Sequence, residues 1–425
     1  MIPKPSIKSI VRAAASLVFA AVLSLVGTAA PAQAADPIKI GFSVALTGGL
    51  APNGKSALLA MKIWEEDQNA KGGLLNRPVK LIYYDDQSNP ANVPMIYTKL
   101  LDVDKVDLVI GPYATAMIAP GMPIVMAHNM VYIGLLGTAV NADFHYPKYF
   151  SMIPAGPHPK RAFTKPFFDV AMAQTPKPKT IAIVAADQEF AHNAADGARR
   201  NAKEAGLKIV YDRSYPPSTT DFSPIVRAIQ SSDADLVLVA SYPPDSVGII
   251  RAAHEIGLKA KMFGGAMVGL QATAIKSQLG PLLNGIVDYD QWRPAPKLNF
   301  PGVAELLQKY QQRAPAEGVD LLGYYIGPFA FATLQVMAEA VDATKSLNQD
   351  KIADYIRKTK FKTVAGDIAF GPDGEWVEAR MLEVQFQHIT GNDLEQFKDP
   401  AKTVILAPAQ YKSGDIIYPY NEAQK

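Results

Sequence analysis

Short, mostly apolar runs alternate with stretches of helical periodicity along most of the chain. The strand-length runs lie at Ile38–Leu46, Val79–Tyr84, Asp107–Gly111, Val131–Leu135, Thr180–Ala186, Lys208–Arg213, Asp235–Ala240, Lys261–Gly264 and Gly285–Tyr289. Continuous apolar runs are typical of strands that are covered on both faces. The alternation therefore predicts an α/β fold of parallel sheets with helices on both faces.

Helices are predicted between these strands, and glycines mark several helix ends. In the first helix, Ala57, Ala60 and Trp64 recur at helical spacing before the stop at Gly72-Gly73. Further helices are predicted at Phe190–Ala205, Phe222–Ser231, Ser246–Gly257, Gly302–Arg313, Gly323–Thr344 and Lys351–Lys358. A strand-like run at 381–387 is expected to end the folded part.

Two tyrosines follow strands at equivalent places in the two halves of the chain. Tyr113 follows the run at Asp107–Gly111, and Tyr242 follows the run at Asp235–Ala240. Ligands of open α/β sheets bind beyond the carboxyl ends of the strands. Two lobes that present these strand ends to each other would form a ligand-binding cleft between them.

The first 34 residues have the pattern of a cleavable secretory signal. Lys4, Lys8 and Arg12 precede an apolar run at 13–26, and Ala32-Gln33-Ala34 suits signal peptidase. A membrane anchor is the alternative, but the apolar run is short for a bilayer span. We therefore predict export across the inner membrane and no membrane span after cleavage.

Composition narrows the possible functions. Hydrophobic residues make up 48% of the 425 residues, enough for large cores, and the remaining length suits two domains. A formal charge of +2 gives no reason to expect nucleic acid. The absence of cysteine excludes thiol catalysis and cysteine-ligated metal.

No catalytic or metal-binding motif of the common hydrolase, zinc-protease or dinucleotide-binding types occurs. The histidines are scattered without the spacing of metal ligands, at His128, His145, His158, His192, His254 and His388. We predict no catalytic residue, no metal site and no cofactor.

One segment, Gly49–Ser56 (GLAPNGKS), satisfies the phosphate-binding P-loop pattern. Asp85-Asp86 even resembles the acidic strand end that would hold magnesium. Pro52, however, removes a backbone N–H from a loop whose function depends on such donors. A nucleotide site is therefore the less favoured alternative to a ligand-cleft loop.

Four pieces of the same region carry a family resemblance: LTGGLAPNG at 46–54, EEDQNAKGG at 65–73, LLNRPVKL at 74–81 and YYDDQSNPAN at 83–92. With them, the mature chain resembles the leucine/isoleucine/valine-binding family, the type I periplasmic solute-binding proteins of ABC transporters. The resemblance implies two doubly wound parallel-sheet lobes joined by a three-strand hinge.

The resemblance also implies domain boundaries. Lobe 1 is expected at 35–156 and 290–378, lobe 2 at 157–289 and 379–400, and a C-terminal tail at 401–425. The chain is expected to cross between lobes near Pro154–Pro159, Tyr289–Pro294 and Glu375–Glu383.

Ligand positions follow from the resemblance residue by residue. Thr115 and Thr138 match hydroxyl residues that hold a ligand carboxylate, and Leu136 offers backbone groups. Tyr113 would line the same wall. Asn53 stands where relatives often carry an aromatic residue.

In the second lobe, Tyr242 matches a tyrosine that closes over the ligand, and Phe190 stands where relatives often place a tyrosine. Relatives that bind α-amino acids carry a glutamate for the ligand ammonium, but Ala266 occupies the matching position here, followed by Met267. Burying an ammonium without an anionic partner is costly. Either another acid supplies the charge (Asp187, Glu189, Asp245 or Asp288), or the ligand has no ammonium. We favour an aromatic or branched carboxylate.

The sequence therefore predicts a monomeric periplasmic receptor that traps a small carboxylate by hinge closure. It would deliver the ligand to an ABC transporter permease driven by a separate ATPase, without chemistry of its own. A periplasmic sensor for a signalling partner is the alternative that the sequence leaves open.

Overall fold

The computed structural model describes residues 36–424. The predicted signal segment, residues 1–34, lies outside the described residues. Within residues 36–424, no helix combines the length and the apolar character needed to cross a membrane.

The described chain alternates strands and helices as the apolar pattern predicts. The strands are β1 (Ile38–Val44), β2 (Val79–Asp85), β3 (Leu108–Val109), β4 (Tyr132–Gly134), β5 (Tyr149–Ser151), β6 (Thr180–Ala186), β7 (Lys208–Tyr215), β8 (Leu236–Ser241), β9 (Met262–Met267), β10 (Val287–Asp290), β11 (Phe361–Thr363), β12 (Gly366–Ile368), β13 (Leu382–Phe386) and β14 (Thr403–Ala407). The α-helices are α1 (Ala51–Ala70), α2 (Val93–Thr98), α3 (Thr115–Ile118), α4 (Met122–Ala127), α5 (Asn141–Phe144), α6 (Pro159–Met172), α7 (Glu189–Glu204), α8 (Ser223–Ser231), α9 (Pro243–Ile256), α10 (Thr273–Leu279), α11 (Val303–Glu317), α12 (Gly327–Thr344) and α13 (Gln349–Lys358).

Lobe 1 is built on two small parallel sheets that continue into each other. One has the order β2-β1-β3, and the other pairs β4 with β5. The Gly111 N–H donates to the Ile133 carbonyl at 2.8 Å, which joins the two sheets just beyond β3. The long helices α11 and α12 pack on α1, so the later part of the chain returns to cover this lobe.

Lobe 2 is built on a seven-stranded sheet in the order β14-β13-β10-β9-β8-β6-β7. The strands from β6 to β10 are parallel, and β13 and β14 add an antiparallel edge. Residues 401–425, which we expected to be a tail, thus contribute β14 to the sheet. All residues of β14, Thr403–Ala407, are buried. The prediction of a tail was wrong because the strand-like run at 381–387 was interpreted as the end of the folded part.

The predicted fold class, two parallel-sheet α/β lobes joined by a three-strand hinge, is confirmed. The chain crosses between lobes after β5, after β10 and after β12. Arg380 on the third crossing donates its backbone N–H to the Pro154 carbonyl of the first crossing at 2.7 Å. The third crossing leads into β13, which pairs with β10, the strand that precedes the second crossing. The crossings therefore pack together as one unit.

The P-loop-like segment is explained by packing. The segment Gly49–Ser56, predicted as a ligand-cleft loop, is mostly helical, because α1 already begins at Ala51 and includes Pro52 in its first turn. A Cβ atom at Gly54 would lie 2.0 Å from the Ala45 carbonyl oxygen. Glycine is needed there because α1 crosses close to the end of β1, which accounts for the glycine without a phosphate.

Candidate functional site

Two threonines from neighbouring loops of lobe 1 form a hydroxyl pair at the edge that faces lobe 2. Thr115 begins α3 after β3, and Thr138 lies in the loop after β4; both are buried. The Thr138 N–H donates to the Thr115 Oγ1 at 3.0 Å. The Thr115 hydroxyl proton stays available because its oxygen is the acceptor in that bond. The Thr138 Oγ1 is buried without a hydrogen-bond partner among the described residues.

The backbone around this hydroxyl pair is strained. Ala114, Leu136 and Ala139 have φ angles of +82°, +55° and +58°, in the region that L-residues rarely adopt. Such residues cost on the order of 1–3 kcal/mol each and cluster at ligand sites. The strain accompanies the turn that brings Thr115 and Thr138 together at the end of their strands.

Aromatic rings from lobe 2 form the opposite wall. The Phe163 ring centre lies 4.7 Å from that of Tyr289 and 5.2 Å from that of Phe190. The Tyr242 ring follows at 6.1 Å from Phe190, edge to face. These spacings are those of favourable aromatic contacts.

Hydrogen bonds connect the two lobes beside these rings. The Tyr289 hydroxyl of lobe 2 lies 3.4 Å from the Tyr325 hydroxyl of lobe 1, which lies 3.2 Å from that of Tyr113. The Asn53 Nδ2 donates to the Tyr113 hydroxyl at 3.1 Å. On the other side, the Asn193 side chain of α7 donates to the Thr138 carbonyl at 3.1 Å. The lobes therefore touch on both sides of the hydroxyl pair.

Between the lobes lies a cavity with about 20 Å³ of room for water-molecule centres, roughly one water. Its lining residues are Leu50, Tyr113, Ala114, Thr115, Leu136, Thr138, Ile153, Phe163, Phe190, Tyr242, Val268, Tyr289, Gln291 and Tyr325. The structure thus brings together six of the residues proposed from the sequence: Thr115, Thr138, Tyr113, Leu136, Tyr242 and Phe190.

Three of the proposed residues do not line the cavity. Asn53 stands one step behind it, bonded to the Tyr113 hydroxyl. Ala266 and Met267 are buried within β9, and Val268 lines the cavity instead. The sequence ended this strand at Gly264, whereas β9 runs to Met267. The first residue beyond the end of β9 is therefore Val268.

The cavity is uncharged. Within residues 36–424, no acidic or basic side chain lines it. Of the acids considered as ammonium partners, Asp288 accepts from the Met267 N–H at 2.8 Å, and burial raises its pKa well above the usual value. Asp245 accepts from the Tyr215 hydroxyl at 3.1 Å, and Asp187 pairs with His192 at the surface. Glu189 is likewise absent from the lining.

Across residues 36–424, no group of three or more histidine or acidic side chains is placed to hold a metal ion. The tyrosines that line the cavity are neutral donors at neutral pH, because burial raises the pKa of Tyr113, Tyr242 and Tyr289 above the usual value. The arrangement offers hydroxyl donors and aromatic surface to a small molecule.

Sequence reasoning missed several lining residues, among them Phe163, Tyr289, Gln291 and Tyr325. Gln291 had a usable signal, because it directly follows β10 and ligands bind beyond strand ends. Tyr325 had none, because it lies 212 residues from its partner Tyr113 in a segment without a strand.

Comparisons with known proteins agree with this architecture. A sequence profile of the family described as periplasmic binding protein matches residues 37–388. The chain is 25% identical over 384 residues to Leu/Ile/Val-binding protein homolog 8 of Brucella suis biovar 1, which covers 86% of this chain and 92% of that protein.

Solved structures share the fold at low identity. The branched-chain amino acid transporter substrate binding protein from Streptococcus pneumoniae, in complex with isoleucine, has a TM-score of 0.70 at 19% identity, covering 90% of this chain and 100% of that chain. An ABC transporter solute binding protein from R. palustris, in complex with 4-hydroxybenzoate, has a TM-score of 0.71 at 18% identity, covering 90% and 98%.

Proposed function

Because this chain belongs to the family of periplasmic binding proteins, we propose that it is the extracytoplasmic solute-binding receptor of an ABC importer. Its ligand is a small carboxylate with an aromatic body, held between the two lobes. The observation that carries this proposal is an uncharged, aromatic cavity lined by two threonines, of which Thr138 has a buried hydroxyl without a partner among the described residues.

The threonine pair is suited to a carboxylate. The Thr115 and Thr138 hydroxyls can each donate one hydrogen bond, and hydrogen bonds to a charged acceptor are stronger than neutral ones. A carboxylate in this position would also satisfy the Thr138 Oγ1, a buried group that has no partner among residues 36–424.

The rest of the cavity argues against an α-amino acid. A ligand ammonium would be buried without a carboxylate partner, because no acidic side chain of the described chain lines the cavity. An unpaired buried charge costs several kcal/mol. The rings of Phe163, Phe190 and Tyr242 instead provide apolar surface for an aromatic body. Of the two bound ligands named above for similar structures, 4-hydroxybenzoate fits this lining better than isoleucine.

Transport would follow from lobe closure. The ligand stabilises the closed form only as far as its contacts differ between the open and closed states. The closed monomer in the periplasm would then dock on a membrane permease whose separate ATPase drives import. The receptor itself would perform no reaction and use no cofactor.

Isothermal titration calorimetry tests the ligand class with benzoate, the branched oxo-acid 4-methyl-2-oxopentanoate and leucine. We expect benzoate to bind and leucine to bind at least 100-fold more weakly, since the missing ammonium partner costs several kcal/mol. Tight leucine binding without a response to benzoate would overturn the proposal. A response to the oxo-acid alone would keep the carboxylate site and overturn the aromatic body.

A further inference from the structure

One residue of the cavity lining, Gln291, has a buried amide oxygen that takes part in none of the hydrogen bonds between the lobes. Gln291 is 1% exposed and lines the cavity, and its Oε1 is buried without a hydrogen-bond partner among residues 36–424. An unsatisfied buried acceptor costs about 1–3 kcal/mol, so native structures rarely leave one without a purpose. This oxygen therefore lacks a hydrogen-bond donor within the described protein.

The chain fixes Gln291 in place. The residue directly follows β10, on the second crossing between the lobes. The Asp290 carboxylate accepts from the Gln291 N–H at 2.8 Å and pairs with the Arg293 guanidinium at 3.1 Å. The indole of the next residue, Trp292, donates to the Leu298 carbonyl at 2.8 Å. A side chain on so constrained a backbone can select ligands, because its oxygen has little freedom to move.

The other polar groups of the cavity do not supply the missing donor. The hydroxyls of Tyr113, Tyr289 and Tyr325 lie within hydrogen-bond distance of one another. Thr115 and Thr138 belong to loops after β3 and β4 in lobe 1, whereas Gln291 follows a strand of lobe 2. The amide oxygen and the threonine pair therefore belong to opposite walls.

Resting on the function proposed above, we propose that Gln291 is a specificity residue that accepts a hydrogen bond from an uncharged hydroxyl on the ligand's ring. The ligand class is then a hydroxylated aromatic carboxylate, with its carboxylate on the threonine pair and its hydroxyl on the Gln291 Oε1. A neutral amide oxygen suits a hydroxyl donor, while an ammonium would still lack an anionic partner.

Calorimetry with benzoate and its 2-, 3- and 4-hydroxy derivatives tests this assignment. We expect at least one hydroxybenzoate to bind the natural protein tenfold or more tightly than benzoate. The variant Gln291→Leu should lower the affinity for that isomer about 10- to 100-fold more than the affinity for benzoate, because only the hydroxyl loses its acceptor. Thermal unfolding of the variant checks that it folds.

The outcomes separate this inference from the proposed function. If benzoate binds and every hydroxybenzoate is equal or weaker, Gln291 does not select a hydroxyl, although the carboxylate receptor stands. An equal loss for benzoate and hydroxybenzoate in Gln291→Leu would indicate packing and would overturn the assignment as well. If none of these acids binds while leucine does, the proposed function itself fails. If Gln291→Leu does not fold, two other measurements test the assignment. They are the comparison of the hydroxybenzoate isomers on the natural protein and the same titrations on the variant Gln291→Met.

Discussion

At the scale of single residues, the site depends on polar groups that the protein leaves without partners of its own. The Thr138 Oγ1 and the Gln291 Oε1 are both buried and unpaired among the described residues, and both residues line the same cavity. Because both residues also line the cavity, we propose that these two atoms contact the ligand.

The threonine pair gives a direct prediction. Thr138→Val keeps the shape and removes the hydroxyl, so the benzoate affinity should fall roughly 10- to 100-fold, the worth of a hydrogen bond to a charged group. Calorimetry measures the change. Thr164→Val is the matched control, because Thr164 is equally buried but accepts from Asn201 inside lobe 2. It should lower stability and leave the affinity unchanged; an equal affinity loss in both variants would contradict the role of Thr138.

Glu375 gives a prediction about pH. This carboxyl lies on the third crossing, and burial, with the nearby charge of Asp373, raises its pKa from the usual 4.5 to about 8 against a hydrogen bond to Ser151. Between these values the folded protein holds a proton that the unfolded chain has lost. The free energy of unfolding should therefore fall as pH rises, by up to about 1.4 kcal/mol per pH unit from this group.

The variant Glu375→Gln isolates this effect. Urea unfolding at pH 5, 6.5 and 8 should show the variant gaining stability relative to the natural protein at each step upward in pH. Glu378→Gln, an exposed neighbour, is the control and should follow the natural protein. A stability difference between Glu375→Gln and the natural protein that is constant with pH would show that Glu375 is already ionised in the folded state.

Sequence reasoning worked best for residues at strand ends. Tyr113 and Tyr242, singled out because each follows a recognisable apolar strand, line the cavity, and so do Thr115 and Thr138, which were carried over from the family resemblance. Ala266 and Met267, also carried over from the resemblance, do not line the cavity, because β9 runs three residues further than predicted and buries both. The importance of Gln291 depends on an unpaired buried atom, which only three-dimensional packing reveals.

At the scale of elements, a carboxylate joins the lobes away from the cavity. Asp320, between α11 and α12 of lobe 1, accepts from the Thr273 N–H at 2.6 Å and from the Thr273 hydroxyl at 3.0 Å. Thr273 is the first residue of α10 in lobe 2. Asp320 also accepts from the Gly323 N–H at 2.9 Å, which holds its own loop. The contact therefore caps a helix of the opposite lobe.

We predict that Asp320→Asn lowers ligand affinity about 2- to 10-fold without touching the cavity, because a weaker cap destabilises the closed arrangement by about 0.5–1.5 kcal/mol. Calorimetry with benzoate measures the change. Asp221→Asn is matched, since Asp221 accepts from the Ser223 N–H at 2.9 Å within lobe 2. An effect of equal size in the control would indicate general destabilisation instead of a contact specific to closure.

The boundaries of strands and helices could be predicted where the secondary-structure preference of the residues agrees with their burial. The strand at Thr180–Ala186 was predicted with the bounds that the structure has, because it is apolar throughout and lies between polar turns. The segment Gly49–Ser56 was predicted as a loop although α1 begins at Ala51, because Pro52 and Gly54 favour a loop in isolation. Proline is tolerated in a first helical turn, and here close packing on β1 requires the glycine.

At the scale of the whole molecule, the two-lobed fold could be predicted but its contacts between lobes could not. The alternating pattern and the family resemblance together implied the two sheets and three crossings. The Tyr113–Tyr325 contact and the Asp320–Thr273 cap join residues that are distant in sequence, so no local pattern reports them. The same holds for β14, which pairs with β13 across a loop of short 3₁₀ turns.

The small size of the cavity sets how fast a solute can enter. Room for about one water cannot admit a six-membered ring, so we expect contacts between the lobes, such as the Tyr289–Tyr325 contact, to open before a ligand of that size enters. Ligand capture would then take two steps, in which the two lobes separate before the ligand binds. At high solute concentration the observed association rate should level off at the rate of lobe opening. Ligand dissociation should require the same opening.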